Sequence, residues 1–171
     1  MTINHERNKL VRTARTAGIW YLLMAITGVL GFLIFHPQVF DSEDAEKTLT
    51  NLIDFESVAR TRLLLEFAIV VYQALTAVWF YRLFRHINEW AAWSVGIWGM
   101  TNSVAIMISA ISMASAIQIA YSSQPLNEKI ILIELLSIII TNALGVGGLF
   151  FGLWLIPLGY IITSTKRMPV W

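Results

Sequence analysis

The sequence contains no cysteine. That excludes a disulfide framework, a thiol nucleophile and a cysteine-ligated metal, and it removes any redox clue to compartment. Charge is also scarce. Only 13% of the 171 residues are charged, and the formal net charge is +1. No run of like charge is long enough to bind nucleic acid, so no nucleic-acid partner is expected. The three histidines, His5, His36 and His86, fall in separate segments, so neither a metal site nor any other cofactor is expected. There is no H-E-x-x-H motif, and Gly145-Val146-Gly147-Gly148 lacks the lysine of a phosphate loop. No serine nucleophile with a positioned base can be assembled.

What the chain has instead is apolar length. Hydrophobic residues make up 57% of it, and the mean hydropathy is +0.65. A soluble domain of this size could not hide so much apolar surface. The remaining solvent is lipid. Four stretches, at about 17–35, 63–81, 91–121 and 130–163, reach the length of a spanning helix. None shows the alternation of a membrane β-strand. The reading is a single transmembrane domain over residues 1–171: an all-α four-helix bundle with long helices in its second, third and fourth spans. The first stretch follows Arg7, Lys9, Arg12 and Arg15, but it ends in Phe35-His36-Pro37 rather than a small-residue cleavage site. It reads as an uncleaved span.

Stretch 130–163 holds one charge, Glu134. As a helix it would run roughly 50 Å, against a hydrocarbon core of about 30 Å. Charge bias decides between one crossing and two. If each stretch crosses once, Arg7, Lys9, Arg12, Arg15, Arg82, Arg85, Lys166 and Arg167 share a side with Glu6 and Glu89. The opposite side receives seven acids, mostly within 41–56, against Lys47, Arg60, Arg62 and Lys129. The positive-inside rule makes the basic side cytoplasmic, with both termini there. Two crossings would put Lys166 and Arg167 outside. An aromatic belt at the cytoplasmic ends, including Trp20, Tyr21, Trp79, Tyr81, Trp90, Trp93, Trp98, Tyr160 and Trp171, points the same way.

One crossing near 144–163 leaves the first part of the fourth helix projecting outward, paired with the end of the third. A kink at Gly145, Gly147 and Gly148 is the alternative. The projection is apolar, so the 41–56 loop or a second protomer is expected to cover it. That loop carries Ser42 as a candidate N-cap, acids in its first turn, and Leu49, Leu52 and Ile53 at helical spacing. It predicts a short amphipathic helix over about 43–53.

Ionisable residues inside a span are the default functional candidates. Glu66 lies one turn from Arg62, in i, i+4 spacing, and Gln73 lies two turns further in. Glu134 is expected to be solvated or interfacial. By depth, Glu66, Arg62, Tyr72, Gln73, Gln118, Glu134 and Asn142, with Arg60, Ser109, Ser112, Ser115, Ser137 and Thr141, are candidates to line one outward-facing polar cavity. The competing reading is helix–helix glue, in which small and hydroxyl residues let backbones approach. Ser112, Ala116 and Ala120 recur every fourth residue, Gly148 and Gly152 form a G-x-x-x-G, and Thr101, Asn102 and Ser103 read likewise. Pro157 reads as a structural kink.

Two segments resemble a known family. "TARTAGIWYLLMAITGVLG" (Thr13 to Gly31, with Tyr21, Ala25 and Gly28) resembles the opening of a bacterial multi-pass membrane family, the DUF4386-like domain of unknown function. "FFGLWLIPLGYIITSTKRMP" (with Gly152, Pro157, Gly159, Tyr160 and Pro169) resembles its later signature helix. Asp44-Ala45, Thr48, Asn51, Glu56 and Arg60 fit its outer loop. The resemblance implies a bacterial inner-membrane helical protein and brings no catalytic residues with it. Members usually continue past the equivalent of Met168-Pro169 into further helices, whereas this sequence stops at Trp171. Association with another copy or another membrane protein is therefore expected, besides the lipid bilayer itself. Three functional readings remain: a structural or accessory bundle without catalysis, a small proton- or cation-coupled transporter using Glu66, and an intramembrane enzyme.

Overall fold

The computed structural model describes residues 2–41 and 43–165. The expectations placed on Ser42, Lys166, Arg167, Met168, Pro169 and Trp171 lie outside the described residues.

The first rod is α1 (Thr2–Gly28), continued by a π-helical segment (Val29–Phe35) and α2 (His36–Val39). There follow α3 (Ala45–Asp54), α4 (Glu56–Phe84), α5 (Glu89–Ala120) and α6 (Leu126–Thr165). Four helical rods, Arg7–Val39, Glu56–Phe84, Glu89–Ala120 and Leu126–Thr165, are long and apolar enough to cross a membrane. The basic segment before the first span is thus itself helical, and α4 begins well before residue 63. The π segment was not foreseen. Pro37 follows it at the start of α2. Proline lacks an N–H, and its ring presses on the carbonyl four residues back, so the preceding turn widens. The His36 N–H bonds Gly31 O, five residues back.

The helix α6 is unbroken for 40 residues, about 60 Å. It stays helical through Gly145, Gly147 and Gly148 and through Pro157. One long helix, not two short ones, is what the terminal stretch forms.

Packing follows chain order. α1 lies on α4, α4 on α5 and α5 on α6. The central helix is α5, and small residues explain why. Ala91, Ala92, Gly99, Ala105, Ser109, Ala110, Ser112, Ala116 and Ala120 are all buried along it. The closest approach is at Gly99, where an added Cβ would sit 2.8 Å from Ala77 Cβ. Gly147 of α6 plays the same part against Asn102 and Ala105. The expected Gly148/Gly152 contact is absent: both are exposed, and a Cβ at either meets nothing within 4 Å.

The loop covers one side of the outer projection. Leu49 and Leu52 of α3 join Val39, Met113, Ile117, Ile133 and Ile140 in one buried cluster. The helix is Ala45–Asp54, slightly later than expected, because Asp44 is its N-cap and accepts from the Lys47 N–H at 2.9 Å. Ile53 points outward and is exposed. Thr48 ties the loop shut. Its hydroxyl accepts from the Asp41 N–H at 2.9 Å and donates to Asp41 O at 3.1 Å.

Candidate functional site

The seven expected cavity residues do not line one cavity. Position along a helix does not give the angle around it. Gln118 is exposed on α5 beside Glu56, Arg60 and Tyr121. Glu134 and Asn142 are exposed on α6 and line a separate outer groove with Asp41, Glu43 and Glu46. Tyr72 turns towards α1, its ring 5.8 Å from that of Trp20. Ser112, Ser115 and Ser137 bond carbonyls of their own helices, at 2.9, 2.9 and 2.8 Å.

Arg62 and Glu66 do come together. Nη1 of Arg62 lies 2.9 Å from Oε2 of Glu66, and each side chain is 1% exposed. The contact is an ion pair rather than an aligned hydrogen bond, for neither carboxylate oxygen has a hydrogen-bonding partner. The Ser109 hydroxyl reaches the carboxylate from α5 but is likewise unbonded. Above the pair, the guanidinium carbon sits 5.3 Å from the Phe40 ring centroid, a favourable cation–π position. His36 stacks on the Phe40 ring, with centroids 5.2 Å apart, and its buried Nδ1 is unpartnered.

Outside the apolar region, Asp41 closes the loop. Its Oδ2 accepts from Lys47 Nζ at 2.9 Å, and Oδ1 accepts from the Glu43 N–H at 3.0 Å. The Lys47 hydrogen bond, aided by the Glu43 N–H, holds the Asp41 carboxyl below its ordinary pKa.

A second feature was not visible in the sequence. α1 does not pack along α6; they meet through Tyr21 and Trp154, with ring centroids 6.0 Å apart. Between them, outward of that contact, runs a groove of about 570 Å³. Met24, Phe32, Leu144 and Phe151 form its walls, and its floor includes Gln73 and Asn102. Gln73 had been grouped with Glu66 and Asn102 read as glue; here they are neighbours. Gln73 Nε2 donates to Gly99 O at 3.4 Å, the long limit of a hydrogen bond. Among the described residues no hydrogen bond is formed by the Asn102 side chain. The Trp154 indole N–H, fully buried nearby, is unpartnered too. The glycines at 99 and 147 were the available signal, because each sits where a polar side chain needs room.

Tyr21, from the expected aromatic belt, joins Phe80, Phe151 and the buried Trp154 in one ring cluster in which Phe80 and Trp154 stack and the other pairs are tilted. Trp90, Trp93 and Tyr160 do remain exposed.

The chain matches no curated protein and no solved structure. It does match one family profile, over residues 16–171, nearly its full length. With its four apolar helices, this multi-pass helical bundle belongs to the family described as a domain of unknown function, DUF4386.

Proposed function

We propose that the protein is a non-catalytic bundle of the bacterial inner membrane with a structural or accessory role. Both termini face the cytoplasm, and a second copy or another membrane protein is its partner. The observation that carries this reading is the sealed state of the Arg62–Glu66 pair. A carboxylate that relays protons or cations needs a wet path, whereas Glu66 is 1% exposed and faces its own arginine, over which the Phe40 ring sits. A pair closed on itself neutralises two buried charges within α4. The partner reading is supported by Ile131, Leu135 and Ile138. They are exposed on the outer part of α6.

The second reading, a proton- or cation-coupled transporter, draws on the unbonded Ser109 hydroxyl beside Glu66. Proteoliposomes distinguish the two. The structural reading expects no ion flux above protein-free vesicles, and a lower melting temperature for Glu66→Gln. A flux that Glu66→Gln abolishes while the fold survives would overturn it.

Orientation is testable because the chain has no native cysteine. Ser123→Cys is expected to react with an impermeant maleimide from the periplasmic side, and Arg85→Cys only from the cytoplasmic side. The reverse pattern would defeat the assignment. Mass measurement in detergent tests self-association.

A further inference from the structure

The groove between α1 and α6 has a chemistry that names its occupant. Its floor places two carboxamides in an otherwise apolar channel. Gln73 is 1% exposed and Asn102 4% exposed, and both border the groove. Their hydrogen-bonding capacity is almost unused within the protein. In hydrocarbon an unpaired amide is costly, so a partner from outside the chain is expected there.

Depth restricts that partner. Along α4, Gln73 lies eleven residues from Arg62 and nine from Arg82. Those intervals are about 16 and 14 Å, so with the arginines near the two boundaries Gln73 sits close to the bilayer midplane. Phospholipid headgroups stay at the surface, and a charged head at the midplane is excluded by its desolvation cost. A neutral head that travels within the bilayer is compatible.

Size and shape restrict it further. A spanning helix about 10 Å across occupies roughly 2,400 Å³, some four times the groove volume of about 570 Å³. A single tailed molecule suits this space. At the inner end, Tyr21 and Phe151 stand beside the carboxamides and offer flat faces. Outward, Phe32 and Leu144 continue an apolar track. Gly28 and Gly148 keep the walls low, since a Cβ at either meets nothing within 4 Å. The π segment forms part of one wall, and such widened turns recur at functional sites.

We propose that this groove binds a neutral, lipid-soluble carbonyl compound with a hydrocarbon tail, the chemical class of the prenylated quinones. Gln73 and Asn102 hydrogen-bond the head, Tyr21 and Phe151 flank it, and the tail follows the track towards His36.

The test titrates the purified full chain in detergent with ubiquinone-2 and reads tryptophan fluorescence. Trp154, 5.4 Å from Phe151 between ring centroids, reports on the head site. Saturable quenching is expected. It should weaken at least tenfold in Gln73→Leu and in Asn102→Leu, and disappear in Gly148→Leu, whose side chain grows into the groove. Gly145→Leu, on the same helix but outside the groove, should bind like the parent chain. Because Gly148 and Gly145 both face open space, this pair keeps the test decisive if the floor variants fail to fold. Non-saturable quenching, or equal binding by Gly148→Leu and Gly145→Leu, would overturn the proposal. So would a disulfide-linked dimer formed by Gly148→Cys in the membrane, which would make a second copy the occupant.

Discussion

Arg62 Nη1 lies 2.9 Å from Glu66 Oε2, one turn along the same face of α4, with both side chains removed from solvent. Buried pairs of this kind contribute little net stability, yet are costly to break. Removing one partner strands the other charge. Glu66→Leu and Arg62→Leu are each expected to destabilise by about 3–5 kcal/mol. The double variant Arg62→Leu/Glu66→Leu should recover most of that loss. Thermal unfolding of the two single variants and the double variant in detergent checks this. Additive losses would show that the pair is not coupled.

At Gly99 the prediction is steric. An added Cβ would meet Ala77 Cβ at 2.8 Å, and both sit on helix backbones that cannot swing aside. Gly99→Ala should therefore push α4 and α5 apart and cost about 1–3 kcal/mol, despite alanine's better helix propensity. Gly96→Ala, with its nearest neighbour at 3.7 Å, should be neutral or slightly stabilising. Melting temperatures of the two variants decide it.

The α3 cover makes a contrast between adjacent residues. Leu52 is fully buried and Ile53 is 44% exposed. Leu52→Ala should cost about 2–5 kcal/mol through cavity formation, while Ile53→Ala should change stability by no more than about 0.5 kcal/mol. Asp44→Ala removes the N-cap and should cost about 1 kcal/mol. Protease susceptibility of the 41–56 loop is a direct readout.

Acid should loosen the same loop. The folded-state pKa of Asp41 is depressed, chiefly by its hydrogen bond from Lys47. Folding is thus favoured while the carboxyl is ionised, above its ordinary unfolded pKa of 3.8. The contribution fades as pH falls through the lower folded value. Loop protection from proteolysis or hydrogen exchange should decline below about pH 4, and Asp41→Asn should flatten that decline. An unchanged acid limb in Asp41→Asn would assign the loss to another carboxyl.

Much of the frame was legible because hydropathy is a local property. The four rods, the unbroken terminal helix and the amphipathic α3 follow from runs and spacings that need no knowledge of neighbours. The Arg62–Glu66 pair was legible for the same reason, since i, i+4 residues on one helix must meet. The grouping of Gln118, Glu134 and Asn142 with Glu66 rested on position along the helices, and these residues border other grooves. In lipid, polar and apolar faces do not sort by solvent, so periodicity carries little information about which side faces in.

What the sequence determined alone is the class of object: a cysteine-free, multi-pass helical membrane protein with acids gathered between its first two spans. Lipid demands apolar length and internal backbone hydrogen bonding, and both are written along a single chain. The tertiary structure decided the rest. It placed small residues of α5 at the centre and laid α3 over the outer projection. It also kept α1 and α6 apart, so that Gln73 and Asn102 came to share the floor of one groove. Those outcomes depend on which helix faces meet, and that is settled by packing between segments distant in sequence.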